Sequence, residues 1–126
     1  MTDWTWPDAQ ILRVVDGDTL DARVTRDLGF GGSATFAVRL RLGRINAAKA
    51  SSAEGQRAAA YLAALLLSAG DTVALTTTGP YKYGGPKDSP GEWMAEIQVP
   101  GGNVSDLMVA AGRAVYWDGE GPRPGG

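Results

Sequence analysis

The sequence predicts a mainly β fold with some α: five short strands closed into a Greek-key barrel, one helix after the third strand and another after the fifth. Three observations point there. Residues 34–42, "ATFAVRLRL", set Phe36, Val38, Leu40 and Leu42 on one face and Thr35, Ala37, Arg39 and Arg41 on the other, a period of two. Residues 10–24, "QILRVVDGDTLDARV", place β-branched runs on both sides of an Asp-Gly-Asp break. Residues 53–70 run in good helix formers to a terminal glycine.

In chain order, residues 10–24 read as a hairpin turning at Asp16 to Asp18. A Gly-rich turn at Gly29 to Gly32 leads into the third strand. Ser51 and Glu54 have capping-box spacing, so a helix of about four turns follows. "TVALTTT" (72–78) and "EWMAEIQV" (92–99) are the fourth and fifth strands. The loop between them is too rich in Gly and Pro for regular structure. Asn103 is the expected N-cap of a short second helix that stops at Gly112. The expected layout is an N-terminal extension (1–9), one barrel domain (10–117) and a Gly/Pro tail (118–126). Five strands with a helix between the third and fourth suit a barrel of the oligonucleotide/oligosaccharide-binding (OB-fold) type.

Composition narrows the chemistry. The 126 residues are 44% hydrophobic and 21% charged, the profile of one folded domain with a real core. A net charge of −2 argues against a protein whose main task is coating duplex nucleic acid. With no cysteine and no histidine, any site must be built from carboxylates, Arg, Lys, hydroxyls and backbone. "MTDWTWPDAQ" has no basic region followed by an apolar run, so no signal peptide is expected, and no stretch is long enough to span a membrane. The expected location is the cytoplasm or a particle assembled there.

Taken together, "VVDGDTL", "RLGRINAAK", the Ser/Ala-rich helix, "YKYGG" and "NVSDLMVAAGRAVYW" resemble the staphylococcal nuclease (thermonuclease) family from about Gln10 to Trp117. The resemblance implies a calcium-dependent phosphodiesterase that cuts DNA and RNA, on an SNase-like OB-fold barrel. It also implies that the site is degenerate. The family arginine falls on Arg41, its metal-binding aspartate on Asn46, its proline on Ala48 and its general-base glutamate on Lys49. A second phosphate-binding arginine falls on Gly85. Asp16 and Asp18 survive, the latter matching another calcium ligand; Lys82 and Tyr83 match positions that touch a nucleotide.

The consequences are electrostatic. Calcium takes six to eight oxygen ligands, with carboxylates supplying the charge. An ammonium about 5 Å from a divalent ion, at an effective dielectric near 20, repels it by roughly 6 to 7 kcal/mol. A protonated Lys49 is also no base at neutral pH. Glu54 is the nearest substitute, and its capping position gives it a structural task.

The expected function is therefore a catalytically inactive thermonuclease-like module with a structural or binding role, partnered by other protein chains in an assembly such as a phage virion. Nine arginines against three lysines suggest a GC-rich genome, which suits that guess. No cofactor is expected, with Ca2+ reserved for the alternative of a nuclease with an altered site. Asp16 and Asp18 are then metal ligands in that alternative and turn-stabilising acids otherwise. A third reading is a single-stranded nucleic-acid-binding module using Arg41, Lys82 and Tyr83. Arg39, Arg41 and Arg44 are either a phosphate patch or solvated. From Ala58 to Gly70 the helix carries no charge, so its outer side is expected to be covered, with Leu62, Leu65 and Leu66 as interface residues. Trp4 and Trp6 are expected interface anchors, with core lids as the alternative.

Overall fold

The computed structural model describes residues 3–80 and 92–117. Its elements are β1 (Trp4–Asp16), β2 (Thr19–Asp27), β3 (Ser33–Leu42), β4 (Ile45–Asn46), α1 (Ala53–Leu67), β5 (Val73–Pro80), β6 (Trp93–Val99), β7 (Gly102–Asn103), α2 (Val104–Ala110) and β8 (Val115–Tyr116). Strands β3, β2, β1, β5 and β6 lie side by side in that order, all antiparallel. The barrel closes where β6 meets β3 in parallel, Leu40 opposite Trp93 and Leu42 opposite Ala95. This is the five-stranded OB-type barrel expected.

The alternation read in β3 becomes register. Leu20 of β2 faces Leu40, Ala22 faces Val38 and Val24 faces Phe36. Leu20, Ala22, Val24 and Leu40 join Leu75, Ala95 and Ile97 in one core, Val38 packs against it, and Phe36 stays half exposed. Glycines Gly29 and Gly31, both at positive φ, turn β2 into β3 while Asp27 Oδ1 accepts the Gly29 N–H at 2.8 Å.

Helix α1 covers one end of the barrel, burying Gly55, Ala58, Leu62 and Leu66, an i, i+3, i+7, i+11 stripe. Leu62 is wholly buried, and filling that place stabilises the fold by about 1.5 to 3 kcal/mol. Two glycines make the docking possible. A Cβ on Gly17 would sit 2.6 Å from the Ala58 Cβ, and one on Gly55 would collide with the Lys49 carbonyl oxygen. No helix among the described residues is long and apolar enough to cross a membrane.

Three expectations need correction. Residues 4–9 are not an extension: they form the first half of β1 and pair with β5, Trp4 opposite Thr77 and Trp6 opposite Leu75. A tryptophan-rich segment next to a proline reads as a terminus, yet Pro7 falls at the irregular step between Trp6 and Ala9, where a missing N–H costs nothing. The N-cap of α1 is Ser52, whose hydroxyl accepts the Gly55 N–H at 2.9 Å, not Ser51. Leu62 and Leu66 are core residues of this chain and offer no surface to a partner; Leu65 packs partly against the same core. The outward face of α1 is instead Ala60, Ala64 and Leu67, the last 77% exposed.

Candidate functional site

The β1–β2 turn, the end of β3, β4 and the approach to α1 converge on Asp18. The backbone sets this up: Leu42 N–H donates to the Asp18 carbonyl at 2.8 Å, so the end of β3 lies against the turn. Arg44 then adopts φ 70°, a left-handed conformation that reverses the chain into β4. Its guanidinium repays that strain by donating to Glu96 (2.9 and 3.1 Å), Asp106 (2.9 Å) and Asn103 (3.1 Å), pinning the loop to β6 and α2. These bonds raise the Arg44 pKa well above its ordinary value. The same arginine, followed by Tyr116, holds Asp106 below the usual carboxylate range.

Asp18 is 2% exposed and both its carboxylate oxygens have partners. Oδ1 accepts the Thr19 hydroxyl at 2.9 Å. Oδ2 accepts the Ala47 N–H at 2.9 Å and is ion-paired with Arg41 Nη1 at 3.1 Å. Arg41, 5% exposed, also donates from Nη2 to Asn46 Oδ1 at 3.0 Å and lies 5.8 Å from the Trp117 ring. Thus Arg41, Asn46 and Asp18 are brought together, and they face one another. Asp16 is turned to a separate task, its Oδ1 accepting the Ala50 N–H at 2.8 Å and tying the approach to α1 onto the turn.

The donor set does not fit a calcium ion. Calcium would need several free hard oxygens. Here the Asp18 oxygens carry two hydrogen bonds and an ion pair, and among the described residues no cluster of three or more acidic or histidine side chains could hold a metal. Lys49 is exposed, so water screens its charge and the repulsion estimated for a fixed ammonium at 5 Å overstates its effect. Glu54 lines a small depression of about 110 Å³ that it shares with Asn46, Ala48 and Arg113.

The remaining candidates are placed as follows. Lys82, Tyr83 and Gly85 lie outside the described residues. Arg39 is not a free phosphate ligand: it makes a bidentate contact with Asp21 at 2.8 and 3.1 Å, and this hydrogen bonding holds Asp21 below the usual carboxylate range. Trp4 is half exposed, stacks on Trp6 with ring centroids 5.9 Å apart, and Trp6 packs on the core. Sequence reasoning missed Thr19, the Ala47 N–H and Trp117 as neighbours of the site. The Thr19 contact was readable from the Asp-Gly-Asp-Thr turn, whereas the Ala47 contact needs backbone coordinates.

The chain is 32% identical over 116 residues to micrococcal nuclease from Shigella flexneri, an alignment that takes in 86% of this chain. The chain spans 59% of that relative's length. No protein-family model matches it.

Proposed function

A homologue of micrococcal nuclease on an SNase-like barrel, this chain is, we propose, a nuclease-like module that has lost catalysis and acts as a structural or binding unit in a larger assembly. The observation carrying this reading is the buried Arg41–Asp18 pair. A nuclease site needs a carboxylate open to a metal and a cation open to the scissile phosphate, because stabilising developing charge is the main work of phosphodiester cleavage. Here each group is the other's partner. Lys49 standing at the general-base position removes the proton acceptor as well.

The test is a phosphodiesterase assay on single-stranded DNA and RNA with excess calcium. The expected result is no turnover above the uncatalysed blank. Calcium-dependent turnover that Asp18→Asn abolishes sinks the proposal. A second reading, a nuclease with an altered site, draws support from Glu54 sharing the depression with Asn46. It predicts turnover lost in Glu54→Gln. For the assembly role, the exposed Leu67 and Phe30 (79%) support a partner-covered surface. A native mass equal to that of one chain at all concentrations, alone and in its source particle, counts against it.

A further inference from the structure

The end of β2 remote from Asp18 opens into a feature the site does not use. β1 changes partner midway along its length: Gln10 to Asp16 pair with β2, whereas Trp4 to Ala9 pair with β5. The last residues of β2, Val24 to Asp27, therefore have β3 on one side and, among the described residues, no strand on the other. A slot of about 760 Å³ runs there between Thr25, Arg26 and Asp27 on one wall and Thr5, Pro7 and Asp8 on the other.

A second depression, about 410 Å³, lies on the barrel side, walled by Trp4, Trp6, Phe36 and Trp93. Arg26 links the two. It lines the slot, while its guanidinium lies 4.2 Å from the Trp4 ring and 4.5 Å from the Trp6 ring, and its Nε is buried without a hydrogen-bond partner.

The chemistry of these walls selects an occupant. A strand edge with no neighbour is recognised by another backbone, which adds to the ladder and drops alternate side chains to either face. The aromatic depression suits apolar side chains: its one hydroxyl, Thr77 Oγ1, already accepts from Trp6 Nε1 at 3.1 Å and donates to the Trp4 carbonyl at 3.4 Å. Beyond it the walls offer only the Trp4 and Trp93 indole N–H groups, and no acceptor side chain to read the edge of a base or sugar. The slot itself carries Asp8 and Asp27, while Arg26 is stacked on indole. Carboxylates at the rim repel phosphate and favour lysine or arginine.

We propose that this slot docks an extended polypeptide segment of alternating apolar and basic residues, added as a strand to the open edge of β2. Its apolar side chains enter the Trp4/Trp6/Phe36/Trp93 depression and its basic ones meet Asp8 and Asp27. The assignment stands whether or not the chain cleaves nucleic acid.

The test uses the full chain and a tryptophan-free peptide alternating lysine with valine. Binding is followed by indole fluorescence and backbone amide NMR. Saturable binding is expected, with shifts at Val24 to Asp27 and at the Trp4 and Trp6 indoles. Asp8→Lys and Phe36→Ser, both at exposed positions, should each weaken it by about tenfold with the amide spectrum otherwise intact, and a glutamate/valine peptide should bind about tenfold more weakly than the lysine peptide. Equal binding of both peptides, no saturable binding, or shifts confined to α1 overturns the proposal. So does a dimer through the β2 edge that the peptide fails to dissociate, or an oligonucleotide that displaces the peptide from those amides.

Discussion

Truncating Asp18 separates a structural ion pair from a metal site, because the two roles predict opposite signs. The Arg41 guanidinium is 5% exposed and 3.1 Å from the Asp18 carboxylate. Asp18→Ala leaves that cation buried beside a cavity, orphans the Thr19 hydroxyl and frees the Ala47 N–H. Removing one partner of a buried pair costs about 3 to 5 kcal/mol. For a chain of this length roughly 1 kcal/mol corresponds to about 4 °C in Tm, so a fall of about 12 to 20 °C is expected. Asp18→Asn keeps an oxygen for Ala47 and loses less, about half. The double variant Asp18→Leu/Arg41→Met removes both charges and should recover most of the loss, since apolar replacement of a buried pair is often neutral. Urea and thermal unfolding with and without excess calcium measure all four proteins. In a calcium site Asp18 would be an unbalanced acid in the absence of metal: Asp18→Asn would raise the Tm of the metal-free protein, and calcium would stabilise the wild type alone. Either result refutes the pairing argument.

Further outcomes follow from contacts already described. Gly55→Ala, normally a gain of about 1 kcal/mol inside a helix, should instead cost about 1 to 3 kcal/mol, because its Cβ meets the Lys49 carbonyl oxygen; urea unfolding gives the sign directly. Ser52→Ala should lose about 1 kcal/mol and Ser51→Ala almost nothing, by the same measurement, since only the Ser52 hydroxyl accepts the Gly55 N–H. Asp21 is held below its ordinary pKa by Arg39, so its contribution is complete above about pH 4, the unfolded value, and fades as pH falls through the lower folded value. Arg39→Gln should therefore flatten the acid limb of the stability curve in that window. The effect is under about 1 kcal/mol because the Arg39 side chain is 43% exposed. Tyr116 donates to Asp106, which pushes its phenol above 10.0; ring-carbon NMR should show the midpoint return toward 10.0 in Asp106→Asn.

Local pattern carried much of the architecture. Alternation along "ATFAVRLRL" matches the β2–β3 register, and Asn103 caps α2 by accepting the Asp106 N–H at 3.2 Å. Both signals are confined to a few neighbouring residues, where propensity and periodicity act. Local pattern sets Trp4 and Trp6 ahead of the barrel because their partners, Thr77 and Leu75, lie about seventy residues away. The uncharged run of α1 leaves the helix's orientation open for a related reason. Absence of charge does not say which side of a helix is outside, and Leu62 and Leu66 turned out to point inward.

At the site, the sequence by itself determined the residue types: Asn46 and Lys49 at the positions where the resemblance to the thermonuclease family would place acids, with Arg41 and Asp18 nearby. It did so because which ionisable groups are available is fixed by residue identity, whatever their surroundings then do to them. Only the tertiary structure decided what those residues do. A buried carboxylate and a buried guanidinium 3.1 Å apart satisfy each other, and neither shows in the sequence that its partner will arrive from a distant part of the chain. The same holds for the open edge of β2, which exists because β1 turns away to β5 at Ala9, a choice made by packing over the whole barrel.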